Sequence, residues 1–122
     1  MQPPSPSDPP FAAFVADIEL HDDELPAEQV LEGNPRVRSA TLWTSADGSV
    51  ETGVWEITPG VSTDVEAEET FVVLAGAATV EIEDGPSLEL SPGVVAGFAA
   101  GARTVWRVRE TLRKVYTVAT GD

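Results

Sequence analysis

A chain of 122 residues has room for one domain with its own core and too little for two. Its 21 Asp and Glu stand against seven Lys and Arg, a formal charge of −14. Such a surface repels phosphate backbones and anionic lipid headgroups, which argues against nucleic-acid and membrane partners. The absence of cysteine excludes disulfides, thiol catalysis and thiolate metal ligands.

Residues 1–10 carry Pro3, Pro4, Pro6, Pro9 and Pro10 and read as a flexible, extended arm. This stretch has neither the basic region nor the apolar run of a signal peptide. Nowhere does the chain approach the ~20 apolar residues of a membrane span, so a cytoplasmic protein is expected, with residues 11–122 as its single domain. Phe11, Phe14, Val15 and Ile18 supply apolar anchors for the arm, on its own domain or on a partner. Leu25 to Leu31 is compatible with one short helix, with Pro26 in its first turn and Gly33 beyond its end.

From Ser39 onward the pattern is strand, turn, strand. Thr41 to Thr44 and Gly53 to Thr58 flank Asp47-Gly48, and Pro59-Gly60 stops the second strand. Thr70 to Leu74 is a nearly continuous apolar run, as expected for a strand buried on both faces. Ala78, Val80 and Ile82 alternate with Thr79, Glu81 and Glu83, the pattern of a half-buried strand. Asp84-Gly85 and Pro92-Gly93 turn the chain through Leu88 to Leu90 and Val94 to Phe98. In the next strand Thr104, Trp106 and Val108 share one face while Val105, Arg107 and Arg109 share the other, and Val115 to Val118 closes the set. About eight short strands, with ten Gly and ten Pro between and around them, predict an all-β sandwich or barrel.

Gly60 followed by Glu69-Thr70-Phe71-Val72-Val73-Leu74-Ala75-Gly76 resembles the first motif of the cupin family, in which a Glu precedes a Gly by seven positions. Gly93 to Gly101 resembles the second motif, with Ala99 where a Pro is usual. Trp106-Arg107-Val108 with Arg113-Lys114-Val115-Tyr116 is similar to the branch holding ureidoglycine aminohydrolase-like and ethanolamine-utilisation-like cupins, together with many small bacterial single-domain proteins. The resemblance spans about residues 53–118. It implies a jelly-roll β-barrel with a short N-terminal arm, at most one or two short helices, and a pocket at the wider end.

Metal-binding cupins place two His four and six positions before the motif Glu, and a third His three positions after the second-motif Gly. Those positions hold Val65, Thr63 and Thr104, leaving Glu69 as the retained ligand type. A transition metal needs about three or four imidazole, thiolate or carboxylate donors. No metal and no other cofactor is therefore expected. Asp64, Glu66 and Glu68 read as a solvated acid run, and the sole histidine, His21, lies outside both motifs among acids.

Glu69 is the first candidate for chemistry, since a carboxylate inside the barrel would be suited to proton transfer. Tyr116 is the second, as an acid, base or donor. Thr63, Val65, Glu69, Thr104 and Trp106 are the candidate pocket lining, with Arg103 nearest the mouth as a site for an anionic group. Each also has a plain structural reading: a leftover carboxylate held by hydrogen bonds or by an arginine, core filling, or a basic residue answering the excess of acids. Arg103, Arg107, Arg109, Arg113 and Lys114 fall within one short stretch and read as surface pairs.

The leading functional expectation is a metal-free cupin that binds a small polar metabolite. Alternatives are an aminohydrolase-type or isomerase/epimerase-type enzyme acting on a small ureide, amino or sugar-like compound, or a structural or regulatory homodimer with a filled pocket. A homodimer is expected in any case, because a lone barrel leaves sheet edges to cover.

Overall fold

The computed structural model describes residues 9–119. The expected arm therefore lies, apart from Pro9 and Pro10, outside the described residues. Nine strands form one curled sheet: β1 (His21–Asp23), β2 (Val30–Gly33), β3 (Val37–Thr44), β4 (Val50–Ile57), β5 (Gly60–Val65), β6 (Glu68–Ile82), β7 (Ser87–Leu90), β8 (Val95–Phe98) and β9 (Arg103–Ala119).

The two long strands explain how one sheet encloses a core. One edge of β9 pairs with β5 along its first half and with β4 along its second, while its other edge pairs with β6 throughout. The far edge of β6 takes β8 and then β7. Each long strand thus belongs to two half-sheets, and both bend where the register between them slips, from Val73 to Ala78. Gly76 sits in this bend with φ +97°, and a Cβ there would lie 2.2 Å from the Thr111 carbonyl oxygen. Only glycine admits that approach of the two backbones, which gives the first motif's glycine its physical reason.

Both half-sheets turn apolar side chains into one core. Val37, Ile57, Phe71, Val73, Phe98 and Leu112 come from one, and Ala78, Val80, Leu90, Trp106 and Val108 from the other. Phe71, Phe98 and Trp106 pack ring to ring at centroid distances of 5.5, 6.1 and 6.3 Å. Alternation along β9 follows the pattern read from its sequence: Thr104, Trp106 and Val108 are buried, while Arg103, Arg107 and Arg109 are exposed.

Two expectations are corrected. Residues 25–31 form no α-helix: a single 3₁₀ turn, Ala27–Gln29, leads directly into β2, which pairs antiparallel with β5. The segment is too short to offset helix nucleation, and the free edge of β5 offers its backbone partners instead. The run Thr70 to Leu74 is buried on one face only, through Phe71 and Val73. The N-terminal segment docks on its own domain by Arg113, which donates to the Val15 carbonyl at 3.5 Å, but Phe14 stays 75% exposed. Among the described residues no helix is long and apolar enough to cross a membrane.

Candidate functional site

The inward parity of β9 does not stop at Val108. Leu112, Lys114 and Tyr116 continue it, and the cross-strand partners Lys114↔Trp55 and Tyr116↔Gly53 place them on the face that carries Trp55. A lysine is thereby carried into the barrel. Its ammonium meets Glu69 Oε2 at 2.6 Å, and the two side chains are only 5% and 11% exposed. The same nitrogen lies 4.5 Å from the Trp55 ring centroid, 4.3 Å from Phe71 and 5.1 Å from Trp106. Aromatic faces and one carboxylate replace the water that this charge gives up. Glu69 is therefore held by an ammonium, not by the arginine considered from sequence.

Glu66 is the second buried charge, with 7% of its surface exposed. Its Oε2 accepts from the Thr104 hydroxyl at 2.7 Å and the Trp106 indole N–H at 3.0 Å. Its backbone is pinned as well, since Glu66 N–H donates to Ala102 and its carbonyl accepts from Gly101. The expectation of a solvated acid run holds for Glu68 and fails for Glu66, because the link between β5 and β6 folds inward over two buried donors. Lys114 likewise leaves the set of surface cations.

Register also redistributes the expected lining. Ser62 pairs with Trp106 and Asp64 with Thr104, so Ser62 and Asp64 share the inward face of β5. Thr63 pairs with Val105 and Val65 with Arg103, and these look outward. Val65 is 59% exposed, and Arg103 forms a loose pair with Glu83 at 3.8 Å on that outer surface. Thr63, Val65 and Arg103 border a groove of about 540 Å³ that Asp64 and Thr104 also line, and Thr63 lines the cavity beside Trp55 and Trp106 as well. None of Thr63, Val65 and Arg103 lines the cavity around Lys114 and Glu69.

What the fold does gather is Glu51, Trp55, Asp64, Glu66, Glu69, Trp106, Lys114, Tyr116 and Val118, around a cavity of about 210 Å³ at the barrel mouth. A second cavity of about 220 Å³ shares Trp55, Asp64 and Trp106 with it and reaches Asp23, Glu24 and Gln29. Thus Glu69, Trp106 and Tyr116 meet at one site and Thr104 joins it through Glu66, whereas His21 stays exposed on β1, opposite Ser39. The lysine and the buried glutamate escaped the sequence reading. The alternation that put Thr104, Trp106 and Val108 on one face also reaches Lys114 when it is carried on along β9; no such periodic signal marks Glu66.

Tyr116 donates to Glu51 Oε2 at 2.7 Å. Gly53 makes room for it, since a Cβ there would stand 2.5 Å from the phenolic oxygen. Burial first, and then the bond to Glu51, push the phenol above its ordinary pKa of 10.0, so it acts as a donor and not as a base. The chain has a single tyrosine, which near-ultraviolet titration reads directly. The folded protein is expected to stay protonated through pH ~10, where a free phenol is half ionised. The unfolded chain releases that proton first, so stability falls as pH climbs past about 10. Half-ionisation of the folded protein at or below that pH would contradict the assignment. At the open rim, desolvation and then the charge of Glu66 raise the Asp64 pKa, with Lys114 opposing.

The donors here do not suit a transition metal. Thr63 and Val65 look outward, Thr104 is engaged with Glu66, and Glu69 carries an ammonium. Among the described residues no three His, Cys, Asp or Glu side chains gather as a metal site.

A curled jelly-roll barrel with its polar site at the mouth is the architecture of a cupin. Residues 44–116 match the model of the EutQ-like cupin domain, and the chain belongs to that family. No curated protein matches the sequence. Among solved structures, a protein of unknown function from Pseudomonas syringae pv. tomato superposes with a TM-score of 0.75 at 24% identity, covering 84% of this chain and 45% of its own. This chain therefore spans under half the length of that protein. An ethanolamine utilisation protein EutQ from Salmonella typhimurium gives a TM-score of 0.61 at 21% identity over 71% of this chain and 72% of its own. Ectoine synthase from P. lautus gives 0.64 at 16% identity over 90% and 78%. At these identities the likeness is one of fold.

Proposed function

We propose that this chain is a metal-free cupin that binds a small polar metabolite at the barrel mouth. The observation that carries the reading is the Lys114 ammonium, 2.6 Å from Glu69 and enclosed by Trp55, Phe71 and Trp106. Glu69 is the carboxylate that metal-binding cupins would offer to an ion, and here a side-chain cation already neutralises it. Beside this pair remain two adjoining cavities with polar rims and indole walls, a setting that suits a small ligand with several hydrogen-bonding groups. Acid–base catalysis by Glu69 with Tyr116 is the weaker reading, because one is held by an ammonium and the other is bound to a second carboxylate.

Two measurements on tag-free protein test this together. Elemental analysis is expected to find Mn, Fe, Zn and Ni far below one equivalent. A thermal-shift screen of ureides, amino alcohols, sugars and keto acids is expected to reveal one stabilising class. Saturating ligand adds about 2.7 kcal/mol when its concentration is ~100 times the Kd. Near-stoichiometric metal, or no stabilisation by any class, would sink the proposal.

A further inference from the structure

We infer that Lys114 captures a small uncharged aldehyde as an iminium at the barrel mouth. This rests on the binding reading above and adds the reactive class of the ligand and the atom that takes it.

The first observation is the choice of residue. The chain has six arginines and a single lysine. Every arginine pairs with an acid outside the barrel: Arg36 with Asp22, Arg38 and Arg113 with Glu56, Arg103 with Glu83, Arg107 with Glu81, and Arg109 with Glu89. Only the lysine is turned inside. A guanidinium braces a buried carboxylate better, through two parallel N–H bonds. An ammonium is the poorer brace, but it can release a proton and leave a nucleophile, which a guanidinium cannot. The one lysine thus stands where bracing alone would favour arginine.

The second observation is geometric and independent of that choice. Glu69 Oε2 stands 2.6 Å from Lys114 Nζ, within reach of its proton. Both side chains line a cavity of about 210 Å³, walled by Trp55 and Trp106. Nucleophile, proton acceptor and room for a reacting carbon therefore occupy one place. Glu69 takes a proton from the ammonium, and the free amine adds to the carbonyl carbon. One amine hydrogen moves to the oxygen as the C–N bond forms. Glu69 then returns its proton to that hydroxyl, the C–O bond breaks and water leaves. An ammonium and an aldehyde have become an iminium and water, with one positive charge on the nitrogen before and after. Trp55, Phe71 and Trp106, at 4.5, 4.3 and 5.1 Å, surround the second cation as they surround the first. Glu51, Asp64 and Glu66 border the same cavity and repel a ligand carboxylate, which favours an uncharged aldehyde over an oxo acid.

The experiment treats the full chain with glycolaldehyde and cyanoborohydride near neutral pH, which turns an imine into a stable secondary amine. Peptide mass spectrometry then compares Lys114 with the amino-terminal amine, the internal reference for reagent reactivity. Relative to that reference, Lys114 is expected to label about a hundredfold faster in the folded chain than in guanidinium chloride, the scale of positioned proton transfer. A lysine buried only as a brace is shielded, so equal or slower labelling on folding would overturn the capture. Glyoxylate should label Lys114 at least about tenfold more slowly on the same ratio; equal labelling would overturn the preference for an uncharged aldehyde. Glu69→Gln should lower the folded-state ratio at least about tenfold, and an unchanged ratio would overturn Glu69 as proton acceptor. The comparison of folded and unfolded parent chain stands even where that variant does not fold. The binding reading is decided separately, by the thermal-shift screen.

Discussion

Replacing Lys114 by alanine is expected to destabilise the protein by about 3–5 kcal/mol, the usual cost of breaking a buried ion pair. Glu69 would keep its buried position and lose the charged partner that stands 2.6 Å away. The rings of Trp55, Phe71 and Trp106 would lose the cation they surround. Urea unfolding followed by tryptophan fluorescence measures the loss, since two of the three indoles border the ammonium. Lys114→Met alone should be nearly as damaging, because it restores volume and still strands the carboxylate. The double variant Lys114→Met/Glu69→Leu removes both charges at similar volume and should return close to the parent stability or exceed it. That recovery separates electrostatics from packing. A loss below about 1 kcal/mol for the alanine variant would mean a solvent-exposed pair, and the inward lysine would have to be abandoned.

The second large effect is expected at Glu66. Glu66→Ala removes the acceptor of two buried donors at once, the Thr104 hydroxyl and the Trp106 indole N–H. Each unsatisfied donor costs roughly 1–3 kcal/mol, so the variant should lose about 3 kcal/mol. Glu66→Gln keeps an oxygen in place and should lose less than about 1 kcal/mol. The contrast between the two variants is the measurement that matters. Equal losses would show that the charge itself, and not its role as acceptor, holds the mouth together. Equal and negligible losses would place Glu66 in solvent.

The two effects describe one design. A barrel packed by apolar side chains such as Val73, Ala78, Val80, Leu90 and Leu112 keeps a polar cavity at its mouth. Burying charge there is tolerable because nearly every group is answered within the protein. Among the described residues no fully buried side-chain nitrogen or oxygen lacks a partner. A site this saturated on the protein side is rigid before a ligand arrives, which reduces the ordering cost of binding.

Much of the architecture was legible in the chain itself. Alternation with period two identified the half-buried strands, and Asp47-Gly48, Asp84-Gly85 and Pro92-Gly93 marked the turns between them. The spacing of Glu69 and Gly76 matched a family motif, though the bend that only glycine can make there was seen first in the structure. Composition also settled that thiolate chemistry is absent, and it left one histidine for any imidazole ligand. These properties are local or additive, so they need no knowledge of which strand lies beside which.

The site needed that knowledge. Alternation groups Thr63 with Val65 and Ser62 with Asp64, but only the pairing of β5 with β9 tells which group looks inward. A shift of one residue exchanges every side chain between pocket and solvent. Lys114 reads as a surface cation until the second half of β9 is seen to line the barrel beside Trp55. Glu66 lies between strands, where no periodicity applies, and two donors from β9 draw it inward. Strand β2 formed for the same kind of reason, because an unpaired edge of β5 was available to a segment too short to hold a helix. The sequence decided which residues share a face; the closed barrel decided which face holds the charges.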